Sequence, residues 1–160
     1  MIQLRKMSKR DVPAVSHLVG AAYEFLADAE NYAPNQRHRL RKERCVPEWV
    51  GPQFLRCRSF VAISGSRIVG VLAVNNAEVD ELYVHPAYHR HGIGTRLFRK
   101  AERLIAAGGH RRLQVSTTGY AVPFYKAMGA KITGKECVTF GPLAGWRNTV
   151  LSKDLSTERE

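Results

Sequence analysis

The chain has 160 residues, a length that favours one domain and leaves no room for a second of ordinary size. Its hydrophobic fraction of 44% and charged fraction of 24% are typical of globular proteins and exclude a disordered chain. The net charge of +11 favours a polyanionic partner, which charge alone leaves open as a nucleic acid, an anionic membrane surface or a phosphorylated small molecule.

Apolar segments and cysteines indicate the compartment. The longest apolar stretch, Ile68 to Val74, is far shorter than the ~20 residues of a membrane-spanning helix. Basic residues between Arg5 and Arg10 interrupt any signal peptide. The three cysteines are odd in number and widely spaced, which predicts neither a disulfide framework nor a CxxC metal site. The sequence therefore predicts a cytoplasmic protein without a membrane segment.

The first third of the chain predicts a short strand and one long helix. Ile2 to Arg5 alternates in polarity like a strand, and Ser8 with Asp11 has the S-x-x-D form of a capping box. Apolar residues at helical spacing then run to about Ala29. A basic segment follows over residues 36–44, and two prolines around Trp49 limit any helix there to one or two turns.

The remainder predicts a strand meander followed by alternating helices and strands. Three strands are expected over Ser59–Ile63, Ile68–Asn75 and Glu78–Val84. A helix from Gly92 to Gly108, a short helix over Val122–Met128 and strands near Leu113, from Ile132 and over Trp146–Leu151 follow, with a loop over residues 141–145. This order predicts an α+β (mixed α/β) fold.

The segment that ends the third strand has the features of an anion site. The strand stops at Val84, Pro86 follows, and a basic loop leads to Gly92 and Gly94 at the start of a helix. The first N–H groups of a helix have no partner within it, and glycines let an oxyanion approach the backbone. Two other phosphate motifs fail: Leu97 replaces the third glycine of GxGxxG, and no GK[ST] is present.

Two segments resemble the GNAT superfamily of acyl-CoA-dependent N-acyltransferases. The run His89-Arg90-His91-Gly92-Ile93-Gly94 resembles the signature [QR]-x-x-G-x-[GA], and Thr118 to Ala130 resembles the element N-x-x-A-x-x-[FL]-Y-x-x-x-G-F. Phe60 to Leu72 matches the hairpin that precedes both. The chain departs from the family pattern at His89, Thr118 and Ala130, and residues 30–57 match least.

The resemblance implies one GNAT-like domain over residues 1–160. It implies a mostly antiparallel sheet of six or seven strands, splayed at the cofactor site and flanked by about four helices. Acetyl-CoA is the implied acyl donor, with no metal. The implied cofactor-binding residues are Leu82, Tyr83 and Val84 at the splayed strand, His89, Arg90, His91, Gly92, Ile93, Gly94 and Thr95 at the pyrophosphate, and Thr118.

The resemblance also implies a direct transfer to a primary amine in a ternary complex. Tyr125 matches the family tyrosine that donates a proton to the departing CoA thiolate. An alkylamine of pKa ~10.4 must lose its proton before it attacks, so a base is needed. The candidates are Glu78, Asp80 and Glu81; strand alternation puts Glu78 and Asp80 on one face, and we rank these two ahead of Glu81.

The acceptor side of this family is variable. The resemblance places it over residues 23–56 and 139–147, which makes a set of large aromatic residues the expected lining: Tyr23, Tyr32, Trp49, Phe54 and Trp146. The acceptor is a small-molecule or protein amine, and a homodimer is a further expectation. The basic segment 37–44 is either a solvated helix face or a rim that attracts an anion.

Other interpretations remain open. The charge of +11 also fits a catalytically weak GNAT-like regulatory or nucleic-acid-binding module, and a longer acyl-CoA would serve as donor if the acyl pocket were deep. Gly92 and Gly94 would then be turn and packing glycines, and Tyr125 a core residue. A metal bound by His85, His89 and His91 is not expected, because no carboxylate or cysteine lies at ligand spacing.

Overall fold

The computed structural model of the chain describes residues 1–138 and 144–156. Within them are seven strands: β1 (Ile2–Lys6), β2 (Arg58–Ser64), β3 (Arg67–Asn75), β4 (Glu78–Val84), β5 (Arg112–Thr117), β6 (Lys131–Cys137) and β7 (Arg147–Asp154). The same residues form five α-helices: α1 (Val12–Ala29), α2 (Pro34–Glu43), α3 (Pro47–Leu55), α4 (Ile93–Ala107) and α5 (Val122–Ala127).

All seven strands form one sheet in the order β1-β2-β3-β4-β5-β7-β6. Every neighbouring pair is antiparallel except β4 and β5, which run parallel. The predicted α+β class and the mostly antiparallel sheet of six or seven strands are therefore confirmed. None of the helices in the described parts of the chain has the length and hydropathy that a membrane crossing requires.

Helices cover the sheet on both faces. On one face α1, α2 and α3 bury residues such as Val19, Leu40 and Phe54 against β2 and β3. On the other face α4 and α5 bury residues such as Leu97 and Tyr125. The α4 pattern of one apolar side and one charged side explains why this helix lies flat on the sheet.

Five α-helices in the described residues agree with the expectation of about four, and two of them lie in the segment between α1 and β2. α3 has nine residues, longer than the one or two turns expected around Trp49. Pro47 occupies the first turn, where its missing N–H is not needed. Burial of Val50 and Phe54 outweighs the hydrogen bond that Pro52 removes.

A β-bulge interrupts the pairing of β3 with β4. Ala73 pairs with Glu81, but the next residue of β3, Val74, pairs with Val79. Asp80 is therefore an extra residue on β4, and side-chain alternation is reset across it. The expected faces of the three carboxylates change for this reason, as described below. Most of the predicted late loop, residues 139–143, lies outside the described residues.

Close packing between β3 and α4 depends on Gly70. A Cβ placed on Gly70 would lie 3.0 Å from Ile93 Cγ2 and 3.0 Å from Leu97 Cδ1. Both contacts are tighter than almost all Cβ contacts in proteins, so the absence of a Cβ lets α4 approach the sheet this closely without displacing these two side chains.

We expect Gly70→Ala to lower the free energy of unfolding by about 1–3 kcal/mol, because the added methyl group overpacks the contact with α4. Urea denaturation of the variant and the parent chain measures this. Gly134→Ala in β6 is the matched control, since its Cβ would meet nothing within 4 Å. Equal effects at the two positions would contradict this account of Gly70.

Candidate active site

A gap opens in the sheet where β4 and β5 separate. The two parallel strands pair only at Glu78 with Gln114 and at Val79 with Val115. β4 continues to Val84 and β5 to Thr117, with no further pairing between them. The expected splay is therefore present, and the second half of β4 has an open edge towards β5.

The hydrogen bonds of β4 show which backbone groups face this gap. His85, just after β4, donates its N–H to Val69 O at 2.8 Å. Every second residue back along β4 from His85 therefore directs its backbone groups towards β3. Tyr83 is one of these, paired with Val71. Leu82 and Val84 alternate with them and direct their backbone groups into the gap. Of the three predicted backbone contacts, Tyr83 is therefore poorly placed.

The start of α4 lies at one end of the gap. Gly92 has φ 77° and Arg90 φ 64°, and the loop is exposed from Arg90 to Gly92. The first hydrogen bond of the helix runs from Arg96 N–H to Gly92 O. The preceding N–H groups, those of Ile93, Gly94 and Thr95, have no helical acceptor and concentrate positive potential at this end.

Gly94 forms the floor of this region. A Cβ on Gly94 would lie 3.4 Å from the Phe124 ring and 3.8 Å from Val84 Cγ2. The helix start, α5 and the open edge of β4 thus meet at Gly94. The loop residues therefore lie where the signature predicts a pyrophosphate contact, next to Leu82 and Val84.

His89 turns into the gap rather than out to solvent. Its Nε2 lies 3.3 Å from Val84 O, and its ring packs edge-on against Phe25 of α1 at 4.8 Å between centroids. Phe25 in turn contacts Tyr120 at 5.3 Å. Sequence analysis did not select Phe25 or Tyr120 as site residues. Phe25 lies outside the family motifs, Tyr120 occupies a variable position of the second one, and only the fold brings the two rings together beside the gap.

Tyr125 lies in the layer of α4 and α5. Its ring is buried and packs against Phe98 at 5.8 Å and Phe124 at 5.1 Å. Burial raises the pKa of its hydroxyl well above the ordinary value, and the charge of Glu81 raises it further. No hydrogen bond from a described residue contributes to this shift. Because the pKa is raised, the hydroxyl remains protonated at neutral pH and can donate a hydrogen bond.

Glu81 is the most buried of the three candidate carboxylates. Its Oε1 accepts hydrogen bonds from Arg44 Nη2 at 3.2 Å and from Gln53 Nε2 at 3.4 Å. Burial raises the pKa of Glu81, while the Arg44 charge and the Tyr83 hydroxyl lower it. Because β5 leaves β4 beyond Val79, no strand separates Glu81 from Tyr125, although they belong to opposite layers.

The other two carboxylates lie elsewhere. Asp80 Oδ2 is 3.7 Å from Cys57 Sγ and 3.9 Å from Arg56, at the end of α3. Glu78 is mostly exposed. The part of its side chain that is shielded from water, together with the Asp80 charge, raises the pKa of Glu78. The expectation that Asp80 and Glu81 face opposite ways was wrong, because the bulge turns both towards the helical layer that contains α3.

Four of the five predicted acceptor-side aromatic residues are partly accessible or hydrogen bonded at this layer. The Tyr23 and Tyr83 hydroxyls are 2.9 Å apart, and the Tyr32 and Trp146 rings are 4.5 Å apart. Thr118 lies beside Tyr32. Phe54 is fully buried and belongs to the core between α3 and β2, so its assignment to the acceptor site was wrong. The rest of the expected late segment, residues 139–143, lies outside the described residues.

In residues 1–138 and 144–156, no group of three or more histidines, cysteines or carboxylates converges as a metal site would require. His85 Nδ1 accepts the Ala87 N–H at 3.1 Å, and His89 contacts Val84 O. His91 packs against Tyr88 at 6.2 Å between ring centroids. His85 and His91 thus share contacts with the Tyr88 ring, whereas His89 contacts Phe25 and Val84 O.

Comparison with known proteins supplies an independent finding on the family. The family model described as an acetyltransferase (GNAT) domain matches residues 27–142. No curated protein is significantly similar in sequence to this chain.

Several solved structures share the fold. A GCN5-related N-acetyltransferase from Rhodopseudomonas palustris superposes with a TM-score of 0.86 at 23% identity, covering 95% of this chain and 94% of its own. The PaiA N-acetyltransferase from Thermoplasma acidophilum, solved with coenzyme A, gives 0.77 at 19% identity over 96% and 99%. YncA of Salmonella typhimurium, solved with acetyl-CoA, gives 0.67 at 16% identity over 98% and 95%.

Buried tyrosines around the gap predict a loss of stability at alkaline pH. Burial raises the pKa of Tyr23 to about 12 and the pKa values of Tyr32, Tyr83 and Tyr125 by more. Since these folded-state values lie above the unfolded value of ~10, their stabilisation is complete below pH ~10 and is lost as the pH rises further.

We expect Tyr125→Phe to reduce this alkaline loss by up to about 1.4 kcal/mol per pH unit, because phenylalanine has no proton to lose. Chemical denaturation of both proteins across the alkaline range measures the difference. Below pH ~9 the difference in unfolding free energy between the two proteins should be constant. Parallel curves above that pH would contradict the burial of the Tyr125 hydroxyl.

Proposed function

The chain belongs to the GNAT acetyltransferase family, and on that premise we propose that it transfers an acetyl group from acetyl-CoA to a primary amine. The observation that carries the proposal is the separation of β4 from β5 directly beside the exposed start of α4. A binding site for a long, phosphorylated thioester needs both an anion site and a slot with free backbone groups, and here the two adjoin.

The residues around the gap fit acetyl-CoA as donor. The free N–H groups of Ile93, Gly94 and Thr95 suit the pyrophosphate, and the backbone groups of Leu82 and Val84 suit the amides of the pantetheine arm. When bound, acetyl-CoA supplies the thioester carbonyl that the amine attacks and the thiolate that departs. His89 must release Val84 O before that oxygen serves the donor.

We assign Tyr125 the role of proton donor to the departing sulfur. Its raised pKa keeps the hydroxyl protonated at neutral pH. A thiol has a pKa of ~8.5, so complete transfer from a tyrosine to a thiolate is uphill. Tyr125 therefore acts chiefly as a hydrogen-bond donor that stabilises the developing negative charge.

We assign Glu81 the role of proton acceptor for the amine, reached through water. It replaces Glu78 and Asp80 as the leading candidate, because Glu78 is exposed and Asp80 faces Arg56 and Cys57. Burial raises the pKa of Glu81 and so makes it a better base than an ordinary carboxylate. Its layer is the one that contains the acceptor-side aromatic residues.

The proposed acceptor enters from the layer of α1, α2 and α3, opposite to Tyr125. The Tyr32 and Trp146 rings and the Tyr23–Tyr83 hydroxyl pair line that side. Aromatic faces of this kind attract an ammonium group before it is deprotonated. Cys45, Cys57 and Cys137 are all free thiols, which fits activity in a reducing compartment such as the cytoplasm.

The basic segment 37–44 gives little support to the nucleic-acid alternative. Three arginines of the basic segment, Arg37, Arg41 and Arg44, are paired with carboxylates of α1 and β4. Their charges are therefore largely compensated within the protein, and a phosphate backbone would compete with these pairs.

Binding of the donor is tested with Gly94→Val. We expect at least a tenfold loss of affinity for CoA, about 1.4 kcal/mol, because the branched side chain narrows the space between α4, Phe124 and Val84. Isothermal titration with CoA and acetyl-CoA measures it. Gly134→Val, in a strand position with open space around it, is the control and should bind like the parent. An unmodified protein that binds neither ligand would overturn the proposed function.

Chemistry at Tyr125 is tested with Tyr125→Phe, assayed by thiol release with the amine that a library screen shows to be turned over fastest. We expect kcat to fall about 100-fold while the affinity for CoA is retained, because only the departing sulfur loses a donor. Tyr88→Phe removes a hydroxyl from a ring packed on His85 and His91, away from Tyr125, and should keep the parental rate. Equal rates for all three proteins would remove Tyr125 from the mechanism.

A further inference from the structure

α2 carries three arginines on one face, and each of them meets a carboxylate. Arg37, Arg41 and Arg44 are spaced i, i+4 and i+7, so they lie in one row along the helix and its C-cap. Arg37 pairs with Asp28 at 2.8 Å, and Arg41 with Glu24, one turn earlier on α1. The row attaches α2 to α1 and ends at Arg44, which reaches across to Glu81 of β4.

Arg44 differs from the other two in its surroundings. Its side chain is 15% exposed, against 59% for Arg41, and Glu81 beneath it is 4% exposed. The guanidinium stacks over the Trp49 ring at 4.0 Å and lies 5.9 Å from the Tyr23 ring. Its buried Nε–H has no hydrogen-bond partner among the described residues. Burying the Arg44 guanidinium costs solvation free energy, and its pairing with the Glu81 carboxylate opposes that cost.

We propose that Arg44 is a positioning residue for acetyl transfer, which orients Glu81 and sets the pH at which this carboxylate accepts the proton of the amine. The inference rests on the proposed function, since it assigns a partner to the base of that reaction. In this proposal Arg44 acts through the carboxylate, to which its guanidinium donates a hydrogen bond.

The groups around Glu81 leave this task to Arg44. Besides Arg44, the charged groups near Glu81 are Asp80 and, beyond it, Arg56. The neutral groups are hydroxyls, an amide and a thiol: those of Tyr83, Tyr23, Tyr125, Gln53 and Cys57. Asp80 raises the pKa of Glu81, as does burial. The Arg44 charge opposes both effects and so favours the charged, proton-accepting form of the carboxylate.

Removing Arg44 therefore has a defined sign. With the cation gone, burial and Asp80 are opposed only by hydrogen bonds from neutral groups, and the Glu81 pKa rises further. A larger fraction of the base is then protonated at a given pH, and the rate recovers as the medium is made more alkaline. A side chain that merely filled space would give a loss that is independent of pH.

The test compares Arg44→Met, Arg44→Lys and Arg41→Met with the parent chain. Each is assayed for kcat/KM against pH with acetyl-CoA and the amine identified by the thiol-release screen. For Arg44→Met we expect the acid limb of the profile to move up by about 1 pH unit or more, with a loss of about tenfold below it and recovery at alkaline pH. Arg44→Lys keeps a cation and should restore much of the parental limb. Arg41→Met, from the same row but remote from Glu81, should leave the profile unchanged.

A second measurement does not depend on turnover. In Arg44→Met the folded-state pKa of Glu81 is raised further above its unfolded value of ~4.3. The contribution of Glu81 to the free energy of unfolding is therefore fully present below pH ~4.3 and is lost as the pH rises through the folded-state pKa. Adding Glu81→Gln to Arg44→Met should abolish this additional fall in the unfolding free energy. An unshifted acid limb, or a fall that persists in the double variant, would overturn the role of Arg44. A parent chain that turns over no amine at any pH would instead overturn the proposed function, and the role of Arg44 with it.

Discussion

Backbone groups that a sheet leaves unpaired determine what this protein can bind. β4 satisfies its hydrogen bonds to β3 on one side, but on the other it pairs with β5 at only two residues. Beyond Val79 the N–H and C=O groups of Leu82 and Val84 lie at an open edge inside the molecule. A buried edge of this kind is costly unless something hydrogen bonds to it, and His89 already contacts Val84 O. The proposed donor completes this edge.

The two proposed catalytic groups lie on opposite faces of the sheet. Tyr125 belongs to the layer of α4 and α5, whereas Glu81 with Arg44 belongs to the layer of α1, α2 and α3. Because the gap between β4 and β5 joins the two layers, a donor can approach from one side and an amine from the other. The burial that raises the pKa of both groups acts in opposite chemical senses: it keeps the tyrosine a donor and makes the carboxylate a better acceptor.

Local signals in the sequence were sufficient for the fold class and the loop before α4, and insufficient for the acceptor side. The strand that ends at Val84 and the Gly92–Gly94 pair have short-range causes, namely strand alternation and the unpaired N–H groups of a helix start. The partnership of Arg44 with Glu81 spans 37 residues, and that of Phe25 with His89 depends on the packing of α1. The row of arginines in α2 was visible as a helical spacing, but its meaning required the carboxylates of α1. Phe54 was wrongly assigned to the acceptor side, because its place in the sequence, two residues after Pro52, gives no sign of its burial.

One extra residue in the fourth strand decides which way the proposed catalytic groups face. With Asp80 in place, Glu81 faces the layer of α1, α2 and α3, while Leu82 and Val84 present their main chain to the gap proposed for the donor. If this residue were deleted, the side chains on one side of the bulge would turn to the opposite face of the sheet. Glu81 and the backbone groups of Leu82 and Val84 could then not all keep their present directions. The length of β4 at this point is therefore a requirement of the proposed site in its own right.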